Sequence, residues 1–175
     1  PPHFSAVERE HLNAGRTLIT SQIHPRLGAR VFMSRALHLK DPRPEILLGE
    51  INPAYLWDTG DDSTLPPNMH LCVLSPEMVE LFCSVEIPAS VRGQVAAANR
   101  HAALGEYEWE HDGSGYIASY RSLSLRSQFL TPKWIVMLSE SKAAVLAPVE
   151  EFKKIFPLVI LLALDRILTP QEQRL

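Results

Sequence analysis

Hydrophobic and polar residues change their period several times along this chain, and the changes divide it into elements. From Phe4 to Leu39, apolar residues fall at Val7, Leu12, Leu18, Ile19, Ile23, Leu27, Val31, Phe32 and Leu37, close to helical spacing. This pattern predicts one long helix over 5–39. Ser5 is its N-cap, Glu8 completes a capping box three residues on, and Pro25 is a possible kink. A narrow apolar stripe of this length suits packing on a sheet at one end and on a partner helix at the other. It equally suits a surface helix of a monomer, because a stripe does not say what covers it.

Beyond the Asp41-Pro42-Arg43-Pro44 break the elements are short. EILLGEI reads as a strand, and Asn52 with Pro53 starts the short helix NPAYLW. HLCVLS and VELFCS form a hairpin across SPEM, and IPASVRGQVAAANRHAALG is a helix-prone connection that reads as a surface helix or a mobile flap. GEYEWE then alternates Tyr107 and Trp109 against glutamates, the period-2 mark of a strand with one buried face. Asp112, Gly113, Ser114 and Gly115 supply a reversal, YIASYRSLSL returns, and KWIVMLSES is apolar enough to be covered on both faces. KAAVLAPVEEFKKIF is a closing helix that runs into FPLVILLAL.

Composition narrows the class. With 175 residues, 46% hydrophobic and 21% charged, one domain with a real core is expected. A formal net charge of -3 lacks the basic excess of a nucleic-acid binder, so no nucleic-acid partner is expected. Fourteen prolines punctuate the element ends, no internal repeat is visible, and no signal peptide is read; Pro1-Pro2 reads as a trimming boundary.

Candidate chemistry is sparse. G-x-S-x-G, H-E-x-x-H, P-loop and C-x-x-C patterns are absent, so no catalytic residue and no cofactor is assigned. Asp58, Asp61 and Asp62 lack calcium-loop spacing and read as a solvated acidic loop. His101, His111 and Asp112 are the nearest approach to a metal set, but turn polarity explains the last two, and no metal site is assigned. If the SPEM reversal is centred between Glu77 and Met78, Cys72 and Cys83 oppose each other within reach of a disulfide; the alternative is two buried, reduced cysteines.

A small-molecule site, if there is one, is expected between the sheet and its flanking loops. Trp57, Trp109, Tyr116 and Tyr120 would form aromatic walls and Arg121 a charged anchor, a set suited to a small anionic or zwitterionic ligand such as an organic acid or amino acid. The same aromatics read equally as plain core, and Arg121 as a solvent-facing partner of a glutamate on the next strand. Trp134, Val136 and Leu138 would fix the last strand, with Leu146, Val149, Phe152, Lys153 and Phe156 at helical spacing beyond it.

The succession GEINPAYLW, LCVLS, GEYEW, YIASYRSLSLRSQF, PKWIVMLSES and VLAPVEEFKKIFPLVILLAL resembles the extracytoplasmic Cache-type (PAS-like) sensor domain of bacterial membrane-bound signalling proteins. The resemblance covers nearly the whole chain and is strongest from Trp134 to Leu164. It implies a periplasmic domain of an inner-membrane receptor with a GGDEF, EAL or histidine-kinase output. It also implies a transmembrane helix after the last sheet-coupled helix, then an Arg-x-Leu-x-Pro-Leu-Glu segment. Here Arg166 to Glu172 follows that form except at Gln171, and the apolar run before it is far short of the ~20 residues a spanning helix needs. The amino-acid motif of the double-Cache relatives, an Arg followed by a Trp-Tyr pair, is not recognisable.

The expectation is therefore an α+β domain. A long N-terminal helix (5–39) packs on a five- to six-stranded antiparallel PAS-like sheet (45–140 with its short helices), and an exit helix (142–156) leads towards the membrane. Residues 1–156 form the sensor and 157–175 a truncated transmembrane and juxtamembrane remnant. A homodimer is the expected signalling form. A ligand-free structural or dimerisation module is the alternative.

Overall fold

The computed structural model describes residues 3–24, 28–39, 45–60, 63–66 and 68–168, apart from the side chains of Ala54 and of 166–168. It is α+β, as expected, with a five-stranded antiparallel sheet and a separate three-stranded one. The larger sheet contains β4 (Met69–Leu74), β5 (Glu80–Cys83), β6 (Leu104–His111), β7 (Ser114–Leu123) and β8 (Trp134–Ser141) in the order β5-β4-β8-β7-β6.

The N-terminal third corrects the sequence reading. Ser5 and Glu8 do form a capping box, but the helix they start, α1 (Ala6–Asn13), lasts eight residues. Gly15 at φ +73° ends it, with the Gly15 N–H on the Leu12 carbonyl and the Arg16 N–H on the His11 carbonyl, a Schellman motif. The stretch expected to continue the helix to residue 39 instead forms a hairpin, β1 (Leu18–His24) and β2 (Gly28–Ala36), to which β3 (Ile46–Ile51) adds. Its β-branched residues favour the pleated chain, and burial of alternate residues at the end of β2, at Ser34 and Ala36, with Val31 buried on the other face, replaces a helical stripe. The Pro25 kink, the Asp41–Pro44 break, Asp61 and Asp62 lie outside the described residues.

Period-2 alternation gives the large sheet two buried faces. One meets the small sheet through Ile19, Val31, Trp57, Leu71, Val73 and Trp134. The other carries Cys72, Leu74, Trp109, Ala118, Tyr120, Ile135 and Met137 and is covered by α3 (Ala89–Asn99), after α2 (Pro53–Leu56) in the chain. β6 and β7 are joined by Asp112 and Gly113, both at positive φ (50° and 74°), as a two-residue hairpin of right-handed twist requires.

Cys72 and Cys83 are register partners across β4 and β5 and are joined as a disulfide. The bond ties the sheet's edge strand to its neighbour. Reduction should add the mass of two hydrogens to the intact protein, and replacing both cysteines by alanine should lower stability by about 2–4 kcal/mol in urea titration. Two freely alkylated thiols in protein made in the periplasm would contradict the bond.

After α4 (Arg126–Phe129) and β8, α5 (Lys142–Leu168) begins where expected but does not stop at 156; it passes through Pro148 and Pro157 without a break. Among the described residues no helix is long and apolar enough to cross a membrane. The Arg166-to-Glu172 segment falls mostly outside them.

Candidate functional site

The residues singled out from the sequence divide between the two faces. Trp109, Tyr116 and Tyr120 lie together on the α3 side: Trp109 and Tyr116 are register partners whose rings stack at 4.4 Å, and Tyr120 packs in the same cluster. Trp57 is on the other side, stacked on Phe82 at 6.1 Å and edge-on to Trp134 at 5.3 Å, which makes it a core residue between the sheets. Arg121 is exposed and, by alternation from Tyr120, points away from the aromatic cluster. The structure therefore brings together three of the five expected residues and leaves out the charged anchor. His111 Nε2 lies 3.5 Å from Asp112, while His101 is exposed at the end of α3.

Local sequence explains how the aromatic face is built. Tyr120 lies across Gly105, where an added Cβ would come within 2.5 Å of the ring, so only glycine admits this register partner. The Tyr120 hydroxyl donates to the Ala102 carbonyl at 3.2 Å, fixing the ring against the chain that leaves α3. Tyr107, two residues before Trp109, joins the same side with its ring 6.3 Å from that of Tyr120.

Polar atoms on this face lack partners. Tyr107 Oη, Trp109 Nε1 and Asn99 Oδ1 are each shielded from solvent without a hydrogen bond. Asn99 continues the i, i+4, i+8 row of Val91 and Val95, the buried residues of α3, so all three orphaned atoms belong to one helix–sheet layer. Buried groups of this kind are nearly always satisfied, and a cluster of exceptions needs an explanation. Burial pushes the Tyr107 phenol well above its ordinary value, which keeps it a neutral hydroxyl. Asn99 and Tyr107 were absent from the expected site. Tyr107 was legible in the GEYEWE alternation, and Asn99 in the spacing from Val91 and Val95.

The helix over this layer is lightly held. Pro88 gives α3 no side-chain cap, only Val91 and Val95 are buried, and Arg92 pairs with Glu80. A cleft of about 580 Å³ opens at its N-terminal half, lined by Met78, Val79, Glu80, Ala89, Arg92 and Gly93. Amides of α3 should therefore exchange with solvent at least about tenfold faster than those of β4 and β8 in hydrogen-exchange mass spectrometry. Equal protection would show that α3 is part of the rigid core.

The orphaned phenol also yields a stability prediction. Tyr107→Phe removes a buried hydroxyl with no partner, so the unliganded domain should gain about 1 kcal/mol in urea titration. A loss of that size would mean that the hydroxyl is bonded in solution.

No family model matches this chain, and no curated protein does. Solved structures do. A structure described as Methyl-accepting Chemotaxis protein X matches with a TM-score of 0.55 at 13% identity, over 79% of this chain and 55% of that one. The ligand-binding domain of the Pseudomonas aeruginosa PAO1 amino acid chemoreceptor PctB, in complex with L-Arg, gives 0.47 at 13% identity over 83% and 58%. That of the Pseudomonas fluorescens chemoreceptor CtaA, in complex with L-isoleucine, gives 0.46 at 13% over 84% and 63%. The chain thus spans a little over half the length of these structures. At 13% identity the first of these, with its TM-score of 0.55, carries the fold alone: the chain has an α+β fold of the Cache-type, PAS-like kind.

Proposed function

We propose that this chain is the extracytoplasmic sensor domain of a membrane-anchored bacterial receptor. It binds a small molecule between α3 and the large sheet and passes the signal along α5 to a cytoplasmic output, a diguanylate cyclase or phosphodiesterase or a histidine kinase. The observation that carries this reading is the layer of orphaned polar atoms, Asn99 Oδ1, Tyr107 Oη and Trp109 Nε1, under a lightly held helix in a sensor fold. A ligand supplying partners to these atoms would stabilise the closed layer and distinguish it from an open one, the differential affinity that signalling requires. The Cys72–Cys83 bond supports an oxidising, periplasmic location. The matched structures are sensor rather than catalytic domains, in keeping with a receptor module.

Thermal-shift screening of small metabolites tests the reading. Ligands should raise the melting midpoint, and Tyr107→Phe and Trp109→Phe should reduce the shift. A complete absence of hits, or hits indifferent to both substitutions, would refute the assigned site.

A second reading, a ligand-free dimerisation module, draws on the exposed apolar residues of α5, among them Val145, Val149, Phe152 and Phe156. They recur at helical spacing and suit a second copy of the chain or the inner membrane. Sedimentation of the ligand-free domain separates the two readings: a stable dimer with no ligand response favours the module, a ligand response the sensor.

A further inference from the structure

The geometry points to a small, uncharged, planar polar ligand, an amide or lactam rather than a carboxylate or free amino acid, in the layer between α3 and the large sheet. This inference rests on the sensory reading of that layer and specifies what the layer accepts.

The first argument is what the layer offers. Its three unpartnered atoms are an amide carbonyl on Asn99, a phenol on Tyr107 and an indole N–H on Trp109. Asn99 Oδ1 needs a donor and Trp109 Nε1 an acceptor, while the Tyr107 hydroxyl can serve as either. A primary amide or a lactam carries an N–H and a C=O side by side and can answer both demands. The layer is aromatic, with Trp109 and Tyr116 stacked on each other at 4.4 Å, and a flat molecule suits an outer face or edge of such a stack.

The second argument is what the layer withholds. Alternation along β6 turns Glu106, Glu108 and Glu110 to the opposite face from Tyr107 and Trp109, and Glu108 is further engaged by Lys142. Arg121 is exposed on that opposite side. On α3, Arg92 is taken by Glu80, and Arg100 beyond it is exposed. The histidines of this face stand by the Trp109–Tyr116 pair, His70 edge-on to Tyr116 at 5.9 Å and His111 with its ring 6.2 Å from Trp109 and its Nε2 3.5 Å from the Asp112 carboxylate, and neither lies on α3 with Asn99. A carboxylate or ammonium group seated between Asn99 and Tyr107 would thus leave water with no lysine, arginine or glutamate of α3 or β6 to meet it there, a far larger penalty than burying a neutral amide whose hydrogen bonds are made.

Isosteric pairs that differ only in charge test this. The intact domain is melted with nicotinamide and nicotinate, benzamide and benzoate, and a set of free amino acids, each at millimolar concentration. The expected result is that the amides raise the midpoint by about 2 °C or more while the carboxylates and amino acids do not. Asn99→Leu and Tyr107→Phe should each weaken the amide response by about tenfold in titration, and Arg121→Ala should leave it unchanged. Each variant is melted alone first, and Tyr107→Phe, which removes only a hydroxyl, keeps the test open if Asn99→Leu folds poorly. Carboxylates or amino acids that stabilise the parent and lose their effect in Tyr107→Phe would overturn the neutral-ligand inference while sparing the site. Probes whose effects ignore Asn99 and Tyr107 but vanish in Arg121→Ala would overturn both. Failure of every probe to shift the midpoint would count against the neutral-ligand inference, and the broader metabolite screen would then decide the fate of the site.

Discussion

Trp134→Ala should lower the stability of this domain by about 3–5 kcal/mol, read as a shift of the urea midpoint at an unchanged slope. Trp134 is 5% exposed at the start of β8, a strand paired on both sides, and meets Trp57 edge-on at 5.3 Å. Its ring lies in the layer that joins the three-stranded sheet to the five-stranded one. Removing it leaves a cavity that collapse can only partly fill, because the residues around it stand on hydrogen-bonded strands. A loss of this size is a large share of the ~5–15 kcal/mol that holds a typical domain together. The exposed Tyr55 is the control, and Tyr55→Ala should change stability by less than about 0.5 kcal/mol. A cost below about 1 kcal/mol for Trp134→Ala would mean that the two sheets do not share a packed core in solution.

The sheet around Trp134 was legible because its strands carry an alternation that no helix reproduces. Tyr107 and Trp109 against three glutamates, and the Cys72–Cys83 register about the SPEM turn, led to the right pairings. The N-terminal third was not, because Leu18, Ile19, Ile23, Val31 and Phe32 fit a spacing of three to four as easily as the two faces of a hairpin. The discriminating signal was Gly15, placed directly after a helix that starts with a good cap, together with the β-branched residues behind it. The site was half legible. Aromatic residues marked the covered face, but period-2 reasoning had to be applied across β7 to see that Tyr120 and Arg121 cannot serve one pocket. Likewise, Trp57 is an aromatic in the turn directly after the short α2, and only tertiary packing decides which face it joins.

On the proposed sensory function, inserting a flexible Gly-Ser pair after Pro148 should abolish the response of the full-length receptor to its cue while leaving the domain folded. No loop separates β8 from α5: Ser141 closes the strand and Lys142 opens the helix. The Ser141 hydroxyl accepts the Ala144 N–H at 3.2 Å, so a strand residue caps the helix, and Lys142 reaches across Gly115 to pair with Glu108 on β6. A shift of β8, whose neighbour β7 carries Tyr116 and Tyr120, is therefore handed directly to a helix of 27 residues, roughly 40 Å long. Beyond Pro148 the helix is exposed, so the insertion should leave the melting midpoint of the isolated domain within about 2 °C of the parent. Pro148 already lacks the N–H that would bond the preceding turn, so the inserted residues extend a weak point rather than breaking a continuous ladder. Ligand binding should persist, since the orphaned atoms of Asn99, Tyr107 and Trp109 belong to α3 and β6, neither of which contains the insertion. The decisive comparison is binding against output in one variant. Retained binding with lost output identifies α5 as the lever, and an output that survives unchanged would show that the signal leaves the sheet by another route.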